Sequence, residues 1–488
     1  MGQTTLNVHP AAGAGGPTPP PPKDLYAKRQ QIYPKLAHGR FRMVKWVVMA
    51  LALGVYYALP WVRWPRGEGI PDQAVLADFA SEKFYFFFIE IWPQDIHFLA
   101  GLLILAALGL FLVTSLLGRV WCGYTCPQTV WTDLYIWVER AFEGDRAARM
   151  RLDKAPWNFN KAWRKLGKHT VWLIIAFWTG GAFVLYWHDA PTVARGWFTG
   201  EAPLSAYWFA GILTLTTYFL AGTMREQVCT YMCPWPRIQA ALTDEHALNV
   251  TYRYDRGEPR GPHRKSESWE GRGDCIDCDQ CVQVCPMGID IRNGSQLECI
   301  HCALCIDACD QMMRKIGRPI GLIAYDTDIA VAARAAGQTP PKYRLLRART
   351  VLYGLLMLAI AGLMTWGLLT RATIESNVLK DRSPPFVRLS DGTIQNGYTV
   401  KLVNKASHAR TMAFSVTGID GLHFSVIGID HEGDGAVELP VEAFGVDRYR
   451  ILVSAPAGAA QRQIVFTVSD PETGETDVNR AAFRGPGQ

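Results

Sequence analysis

The sequence contains two cysteine-rich stretches close together, GDCIDCDQCVQVCPM at residues 273–287 and LECIHCALCIDACD at residues 297–310. In each stretch, two residues separate each of the first three cysteines, and three residues separate the third from the fourth. The eight cysteines are Cys275, Cys278, Cys281, Cys285, Cys299, Cys302, Cys305 and Cys309. The chain has 488 residues and 12 cysteines, and none lies beyond Cys309. Thiols clustered in this way indicate metal ligands in a reducing compartment.

The spacing is that of bacterial ferredoxins with two [4Fe–4S] clusters, in which three cysteines of a run bind one cluster and the fourth binds the other. It predicts a first cluster on Cys275, Cys278, Cys281 and Cys309, and a second cluster on Cys285, Cys299, Cys302 and Cys305. The ferredoxin domain is expected over about residues 265–325. A structural zinc site is the alternative, but zinc takes four ligands and not two interleaved sets. Asp310 follows the last cysteine at a position where ferredoxins usually have proline. Because that proline does not bind the cluster, the departure leaves the ligand assignment unchanged.

The rest of the sequence is typical of a membrane protein, with 49% hydrophobic and 11% aromatic residues. Five apolar segments are long enough to cross about 30 Å of hydrocarbon as helices. They lie at residues 43–62, 98–117, 171–187, 206–223 and 351–370. The sequence therefore predicts a multi-class membrane protein built on a five-helix α transmembrane bundle.

Lysine and arginine are enriched before the first apolar segment and after the second, and are sparse in the connections between segments one and two and between three and four. The positive-inside rule then predicts a cytoplasmic N-terminus and, with five spans, a C-terminus outside. The net charge of +6 fits loops that face anionic lipid, and we expect no nucleic-acid binding. The predicted organisation is an unstructured segment 1–35, a transmembrane region 36–235, a cytoplasmic loop 236–349, a fifth span 350–371 and a periplasmic domain 372–488.

The C-terminal region alternates apolar and polar residues in short runs separated by turn signals. The runs lie at residues 398–403, 411–416, 422–427, 448–453 and 463–468. About seven or eight such strands would form an immunoglobulin-like β-sandwich, and five can be named from the sequence.

Two further cysteine pairs repeat at matching places, Cys122-x-x-x-Cys126-Pro127 after the second segment and Cys229-x-x-x-Cys233-Pro234 after the fourth. An arginine, Arg119 or Arg225, precedes each pair. Proline suits the first position of a helix, so Cys126 and Cys233 are expected to lie beside helix N-termini, where the helix dipole and the nearby arginine should favour thiolate. Thiolates select Cu(I), zinc or an iron–sulfur centre. The alternative is that these cysteines are small buried residues at helix–loop corners.

These motifs, with Gly317-Arg318-Pro319 and Trp92-Pro93-Gln94-Asp95, resemble the FixG/CcoG/RdxA family of cytochrome c oxidase accessory proteins. The resemblance covers about residue 27 to the C-terminus and includes the immunoglobulin-like tail. It implies a protein of the bacterial cytoplasmic (inner) membrane that reduces Cu(II) to Cu(I) for assembly of the cbb-type oxidase. The cysteine spacing itself indicates the iron–sulfur clusters, whereas the roles in copper reduction and oxidase assembly are implied by the resemblance alone.

Three functional hypotheses follow. The first is a cupric reductase in which the two clusters feed electrons to copper held by the catalytic Cys122, Cys126, Cys229 and Cys233. The second is a quinol-oxidising polyferredoxin that feeds a respiratory reductase, and the third is a redox-sensing assembly scaffold. Under the first, the expected partners are copper ions, membrane lipid and oxidase assembly factors such as copper chaperones or a copper-transporting ATPase, and a homodimer is compatible. His97 and His188 are weaker candidates for quinone, haem or copper ligands.

Overall fold

The computed structural model describes residues 31–67, 70–79, 81–264, 267–406, 408–456 and 462–485. It divides into two compact units, Met1–Gly362 and Leu363–Gln488. Residues 1–30 of the predicted unstructured segment 1–35 lie outside the described residues.

Helices dominate the first unit. In chain order they are α1 (Arg40–Ala58), α2 (Ile96–Leu117), α3 (Val120–Tyr124), α4 (Pro127–Glu143), α5 (Arg146–Lys154), α6 (Phe159–Val184), α7 (Ala190–Thr199), α8 (Leu204–Thr217), α9 (Trp235–Leu242), α10 (Tyr254–Gly257), α11 (Gln280–Gln283), α12 (Leu304–Lys315), α13 (Asp328–Ala335) and α14 (Ala348–Leu369). Two wide π-helical turns, Tyr218–Met224 and Val228–Met232, continue α8 towards the second cysteine pair.

Four helical segments in the described part of the chain are long and apolar enough to cross a membrane: Arg40–Trp61, Ile96–Leu117, Leu204–Met224 and Ala348–Leu369. They coincide with the first, second, fourth and fifth predicted segments. The third predicted segment, 171–187, falls largely in α6, which is not among the four because its first half carries Lys161, Arg164, Lys165 and Lys168. The five-span topology therefore remains a prediction.

Helix α4 packs against α6 through buried aromatic and charged side chains. The Tyr135 hydroxyl donates to the Trp172 carbonyl at 2.9 Å, and the Trp172 indole donates to the Tyr135 carbonyl at 3.1 Å. One turn further along α4, buried Glu139 pairs with Arg149 and Arg225 at 2.7 and 3.0 Å. These pairs compensate charges that would be costly to bury alone.

The chain before α1 is bound to the cysteine-rich loop. The Lys35 amide donates to the Gln283 carbonyl at 2.8 Å, and the Lys35 ammonium donates to the Gln280 side chain at 2.9 Å. The Asp307 carboxylate on α12 accepts the Arg42 amide at 2.7 Å, which caps the first turn of α1. Residues 31–35 are therefore fixed by polar contacts, which corrects the C-terminal boundary of the predicted unstructured segment.

Two small sheets complete this unit. Strands β1 (Val75–Asp78), β2 (Lys83–Phe86) and β3 (Ile89–Ile91) form an antiparallel sheet between α1 and α2. Strands β4 (Asn249–Tyr252) and β5 (Ile323–Asp326) pair antiparallel, with Asn249 opposite Asp326. Because β4 and β5 flank the cysteine-rich loop in sequence, their pairing closes that loop into one compact body.

The second unit contains two antiparallel sheets. Its strands are β6 (Ile374–Lys380), β7 (Val387–Arg388), β8 (Ile394–Asn404), β9 (Arg410–Thr417), β10 (His423–Val426), β11 (Glu432–Gly433), β12 (Val437–Val441), β13 (Val446–Ala455), β14 (Arg462–Ser469) and β15 (Thr476–Phe483). One sheet has the order β11-β10-β13-β8-β6 with β7 on β8, and the other has the order β12-β9-β14-β15. The five strands named from the sequence are confirmed.

Alternating side chains from both sheets form the core of this sandwich. Tyr398 of β8, Phe424 of β10, Phe414 of β9 and Phe466 of β14 are buried together. The Tyr398 hydroxyl donates to the Ala482 carbonyl at 3.0 Å, so this polar group in the core is satisfied. The alternation visible in the sequence therefore specifies which face of each strand lies inside.

Truncation of this core tests the packing. Phe414→Ala should lower the free energy of unfolding of the 372–488 fragment by about 3–5 kcal/mol, because it leaves a cavity between the sheets. Ile427→Ala, at a side chain that is 57% exposed, should change it by less than about 0.5 kcal/mol. Denaturant unfolding followed by circular dichroism measures both, and equal effects would contradict the burial of Phe414.

Candidate iron–sulfur and thiol sites

The two cysteine runs adopt the same unusual backbone conformation. Asp277 and Asp279, on either side of Cys278, have φ of 55°, and His301 and Ala303, on either side of Cys302, have φ of 53° and 59°. Non-glycine residues rarely adopt this left-handed conformation because the Cβ atom crowds the backbone. Its occurrence at four matching positions indicates two loops that each wrap around a central group.

The fold brings Cys309 back to the first run. Its thiol has Cys281, Cys275 and Cys278 as its electrostatic neighbours, and burial together with these thiols raises its pKa. Cys305, Cys299, Cys302 and Cys285 are neighbours in the second set. A cavity is lined by the second set and by Cys281. The fold therefore brings Cys309 near the first three cysteines and Cys285 near the second run, and the division of the eight ligands between two clusters stays a prediction.

The thiols are buried where thiolate is unfavourable on its own. Burial, with a smaller contribution from neighbouring thiols, raises the pKa of Cys281 and Cys299 to about 12 and that of Cys285 to about 11. Iron would supply the positive charge that stabilises four thiolates in each set. The donor set thus fits [4Fe–4S] clusters.

The spacing of the thiols argues against zinc. Among the residues that the structure describes, no three His, Cys, Asp or Glu side chains are grouped so as to hold a single metal ion. A tetrahedral zinc site would bring sulfur atoms to roughly 3.8 Å from one another, since each Zn–S bond is about 2.3 Å. Ligands of a four-iron cluster lie further apart because each binds a different iron atom.

Charged side chains hold the first loop in shape. The Arg292 guanidinium pairs with Asp279 and Asp290 at 2.6 and 2.7 Å and also with Asp277. Two of these carboxylates belong to the residues with left-handed backbone. Arg292 therefore neutralises the acidic loop and fixes the conformation that exposes its cysteines to the cluster.

Arg119 joins the second loop to both cysteine pairs. Its amide donates to His301 Nδ1 at 3.0 Å, and its guanidinium donates to the carbonyls of Leu297 and Cys299. The same guanidinium donates to the Pro236 carbonyl at 2.7 Å, just after the second pair. Burial and, to a smaller extent, Arg119 lower the pKa of His301 to about 3, so the imidazole is neutral and accepts this hydrogen bond.

The first pair touches the second cluster loop directly. A Cβ atom placed on Gly123 would lie 2.7 Å from the Ile300 carbonyl oxygen and 3.0 Å from Cys302 Cα. Only glycine permits this approach of main chain to main chain. Cys122 and Cys229 share one buried cluster with Cys302 and Cys285. The paired thiols therefore lie beside the second cluster site.

The four paired cysteines lie within electrostatic range of one another, although no three of them form a group that could hold a single metal ion in the described part of the chain. Cys122 has Cys126, Cys229 and Cys233 as electrostatic neighbours, and Cys229 has Cys126 and Cys233. The Cys122 thiol also donates a hydrogen bond to the side-chain Oε1 of Gln239 at 3.2 Å. Because Gln239 lies on α9, which follows the second pair, this contact links the two repeats.

The first cysteine of each pair, Cys122 or Cys229, lies where thiolate is unfavourable on its own. Burial raises the pKa of both Cys122 and Cys229 to about 12. Arg119 lowers the pKa of Cys122 as expected, but its effect is smaller than that of burial. Arg225 instead pairs with Glu139 at 3.0 Å and donates to the Gly222 carbonyl. Cys126 does cap α4, as the proline predicted.

The remaining candidates have structural partners. His97 is exposed and stacks on Phe98 with ring centroids 4.3 Å apart. His188 is half-buried, and neither histidine joins a group of three possible metal ligands within the described residues. The Trp92–Asp95 motif forms a turn before α2, in which the Asp95 carboxylate accepts the Trp92 amide at 3.3 Å. This motif therefore fixes the start of a helix.

Family models match three parts of the chain. A 4Fe-4S dicluster domain matches residues 224–328, a 4Fe-4S binding domain matches residues 99–143, and the IG-like fold at the C-terminal of FixG matches residues 364–486. The nitrogen fixation protein FixG of Rhizobium meliloti (strain 1021) is 49% identical, over 95% of this chain and 94% of that protein. Protein RdxA of Cereibacter sphaeroides is 48% identical, over 94% of this chain and 98% of that protein.

The chain belongs to the FixG/RdxA family. The resemblance carried by the motifs is thereby confirmed. A FixG-type protein with these domains is a membrane-associated iron–sulfur electron-transfer protein. A crystal structure of a FixG-related protein from Vibrio parahaemolyticus aligns with 24% of this chain and 98% of that chain, at 19% identity and a TM-score of 0.21.

The interleaved ligand sets can be tested in this FixG-type chain. Purified protein should contain about eight irons, four for each cluster. Cys309→Ser should remove the electron paramagnetic resonance signal of the first cluster, and Cys305→Ser that of the second, because each thiol binds the set that the fold assigns to it. Loss of the same signal in both variants would show that the two sets are wrongly divided.

Proposed function

We propose that this protein reduces Cu(II) to Cu(I) at the four paired cysteines, with electrons from the two cluster sites, for assembly of a cbb-type oxidase. The observation that carries this proposal is the main-chain contact between Gly123 and Cys302. It leaves only a short path from the second cluster to Cys122. When bound, the clusters supply one-electron transfer.

The paired thiols suit the product of this reaction. Cu(II) accepts one electron and becomes Cu(I), which is softer and prefers thiolate ligands. Binding of copper displaces the protons of the buried thiols, which stay neutral without a cation. Cys233 is exposed and Cys122 is buried, so the site has one open side for copper and one side towards the cluster.

The position of the site supports the proposed topology. Both cysteine pairs follow directly on apolar helices, α2 and the extended α8. We propose that α6 supplies the remaining span, that the N-terminus and the clusters are cytoplasmic, and that the C-terminal domain is periplasmic in a bacterial inner membrane. Copper chaperones or a copper-transporting ATPase would then receive Cu(I) at the membrane.

The paired thiols are tested by the double variant Cys122→Ser/Cys229→Ser. It should retain about eight irons, reduce Cu(II) more slowly, and bind Cu(I) more weakly by more than about tenfold. Loss of a group that only supports a metal ligand already weakens metal binding by about tenfold, and this variant loses two of the ligands themselves. Thr125→Ala, between the cysteines of the first pair, is the matched control.

Three other results would each change the proposal. Copper reduction and binding at the parental level would make the pairs structural. Loss of about four irons would make them ligands of a further cluster, which the match of a 4Fe-4S binding domain to residues 99–143 makes a specific outcome. Absence of copper reduction in the parent, with the oxidase still bound, would favour an assembly scaffold.

The topology is tested with reporter fusions. Alkaline phosphatase, which is active only outside the cytoplasm, should be active when fused after Gln488 and inactive when fused within residues 236–264. The reason is the excess of lysine and arginine on the side assigned to the cytoplasm. Activity on the same side for both fusions would require an even number of spans between them.

A further inference from the structure

The first half of helix α6 has its apolar side chains on the outside and its charges on the inside. Phe159, Trp163 and Leu166, spaced four and three residues apart, share one helical face and are between 60% and 85% exposed. Trp157, just before the helix, is exposed as well. A helix on a surface covered by water has the opposite arrangement, with its polar residues outside. This face therefore indicates a covering other than water.

The basic side chains of the same half-helix are used within the protein. The Lys161 ammonium is buried and donates to two main-chain carbonyls near the end of α5, at 3.0 and 2.6 Å. Lys165 and Lys168 pair with Glu143 of α4 at 3.0 and 2.8 Å. The Arg164 guanidinium donates to a main-chain carbonyl of α4 at 3.2 Å. Because these charges have inner partners, they do not prevent the outer face from contacting lipid.

The exposed face continues without a break into the apolar half of the helix. Leu173, Ile174 and Phe177 follow Leu166 at helical spacing and are exposed too. Exposed apolar surface of this extent marks an interaction or membrane site. One covering therefore suits the whole length of α6, and the proposed span places the second half of this face in lipid.

The length of α6 places its first turns at the depth of the lipid headgroups. Its 26 residues make a helix about 39 Å long. A bilayer has about 30 Å of hydrocarbon and measures about 40–45 Å with its headgroups. Counted back from Val184 at the far end, about 20 residues of hydrocarbon depth reach Lys165. Phe159 and Trp163 then lie in the headgroup layer, where aromatic residues are typical.

Exposed basic residues border this face. Arg151 and Lys154 lie on α5, a few positions before Trp157, and both are exposed. Basic residues beside the cytoplasmic leaflet are attracted by its anionic lipids. The charge of the border and the continuity with the lipid-facing side of α6 both favour phospholipid over a protein partner.

We propose that residues 151–166 form a surface that binds anionic phospholipid in the cytoplasmic leaflet. The aromatic rings lie among the headgroups, and Arg151 and Lys154 face phosphate groups. Since α4 packs against α6, this surface holds both helices at a fixed depth in the bilayer. The inference rests on the proposed function only for the orientation of α6 as a span and requires no copper chemistry.

Fluorescence quenching measures the lipid contact. The full-length protein is reconstituted in nanodiscs that contain phosphatidylglycerol or phosphatidylcholine with a nitroxide at carbon 5 of the acyl chain. Subtracting the emission of Trp157→Phe/Trp163→Phe from that of the parent isolates the two tryptophans and keeps an aromatic ring at both positions. Both labelled lipids should quench this difference emission, because a nitroxide acts only at short range.

Two single variants calibrate this measurement. Trp208→Phe, at an exposed position in the candidate span Leu204–Met224, should give a difference emission that labelled lipid quenches. Trp269→Phe, in the cysteine-rich region, should give one that labelled lipid leaves unchanged. All variants should retain about eight irons, which shows that they fold.

The choice of lipid is tested with Arg151→Gln/Lys154→Gln, measured with and without the two tryptophans. In the parent, half-maximal quenching should need at least about fivefold less labelled phosphatidylglycerol than phosphatidylcholine, the ratio that corresponds to about 1 kcal/mol for one basic residue near anionic lipid. The variant should lose this preference and keep its quenching by phosphatidylcholine. Arg314→Gln/Lys315→Gln removes the same charge from exposed positions on α12 and is the matched control.

The outcomes separate this inference from the proposed function. A difference emission that neither labelled lipid quenches would overturn the lipid surface. Quenching by aqueous iodide would then show that water covers the face, and its absence would show cover by protein, such as a second copy of the chain. Equal quenching by both lipids in the parent would overturn the binding of anionic lipid. The expected quenching in a protein that never reduces copper would keep this surface and refute only the copper proposal.

Discussion

The buried guanidinium of Arg119 is the interaction on which the arrangement of the redox sites depends. It donates to carbonyl groups of the second cluster loop and of the segment after the second cysteine pair, while its own amide binds His301. Arginine presents five donors in a rigid planar fork, so it can satisfy several carbonyls at once. A lysine at this position would present all its donors on one ammonium nitrogen and could not bridge these two segments in the same way. The close approach of Gly123 to Cys302 follows from this bridge.

Burial of charge is the second constraint on this region. Around α4, carboxylates and basic side chains compensate one another: burial raises the pKa of Glu139, but Arg225, Arg149 and Lys168 bring it down to about 2. The thiols have no comparable partners, so burial raises the pKa of Cys122 and Cys229. The protein thus keeps the Glu139 carboxylate charged and the nearby Cys122 and Cys229 thiols neutral. These thiols ionise only when a metal ion supplies the missing positive charge.

The sequence predicted the features that depend on spacing and period. The 4Fe-4S binding domains, four of the apolar helices and the alternating strands of the sandwich all followed from patterns within short windows. The contacts of Arg119, Gly123 and Gln239 did not, because each joins segments that are far apart in the chain. The role of Arg225 was misjudged for the same reason, since its partner Glu139 lies on another helix.

The cap on α1 has a consequence for biosynthesis. The Arg42 amide and the Asp307 carboxylate that accepts it are 265 positions apart in the chain. At about 5–20 residues per second, the ribosome makes the second group on the order of tens of seconds after the first. The leading turn of this apolar helix therefore stays uncapped over that interval. Its anchoring by Asp307 waits until helix α12 has been synthesised and folded, so α1 and the cysteine-rich region reach their final arrangement together.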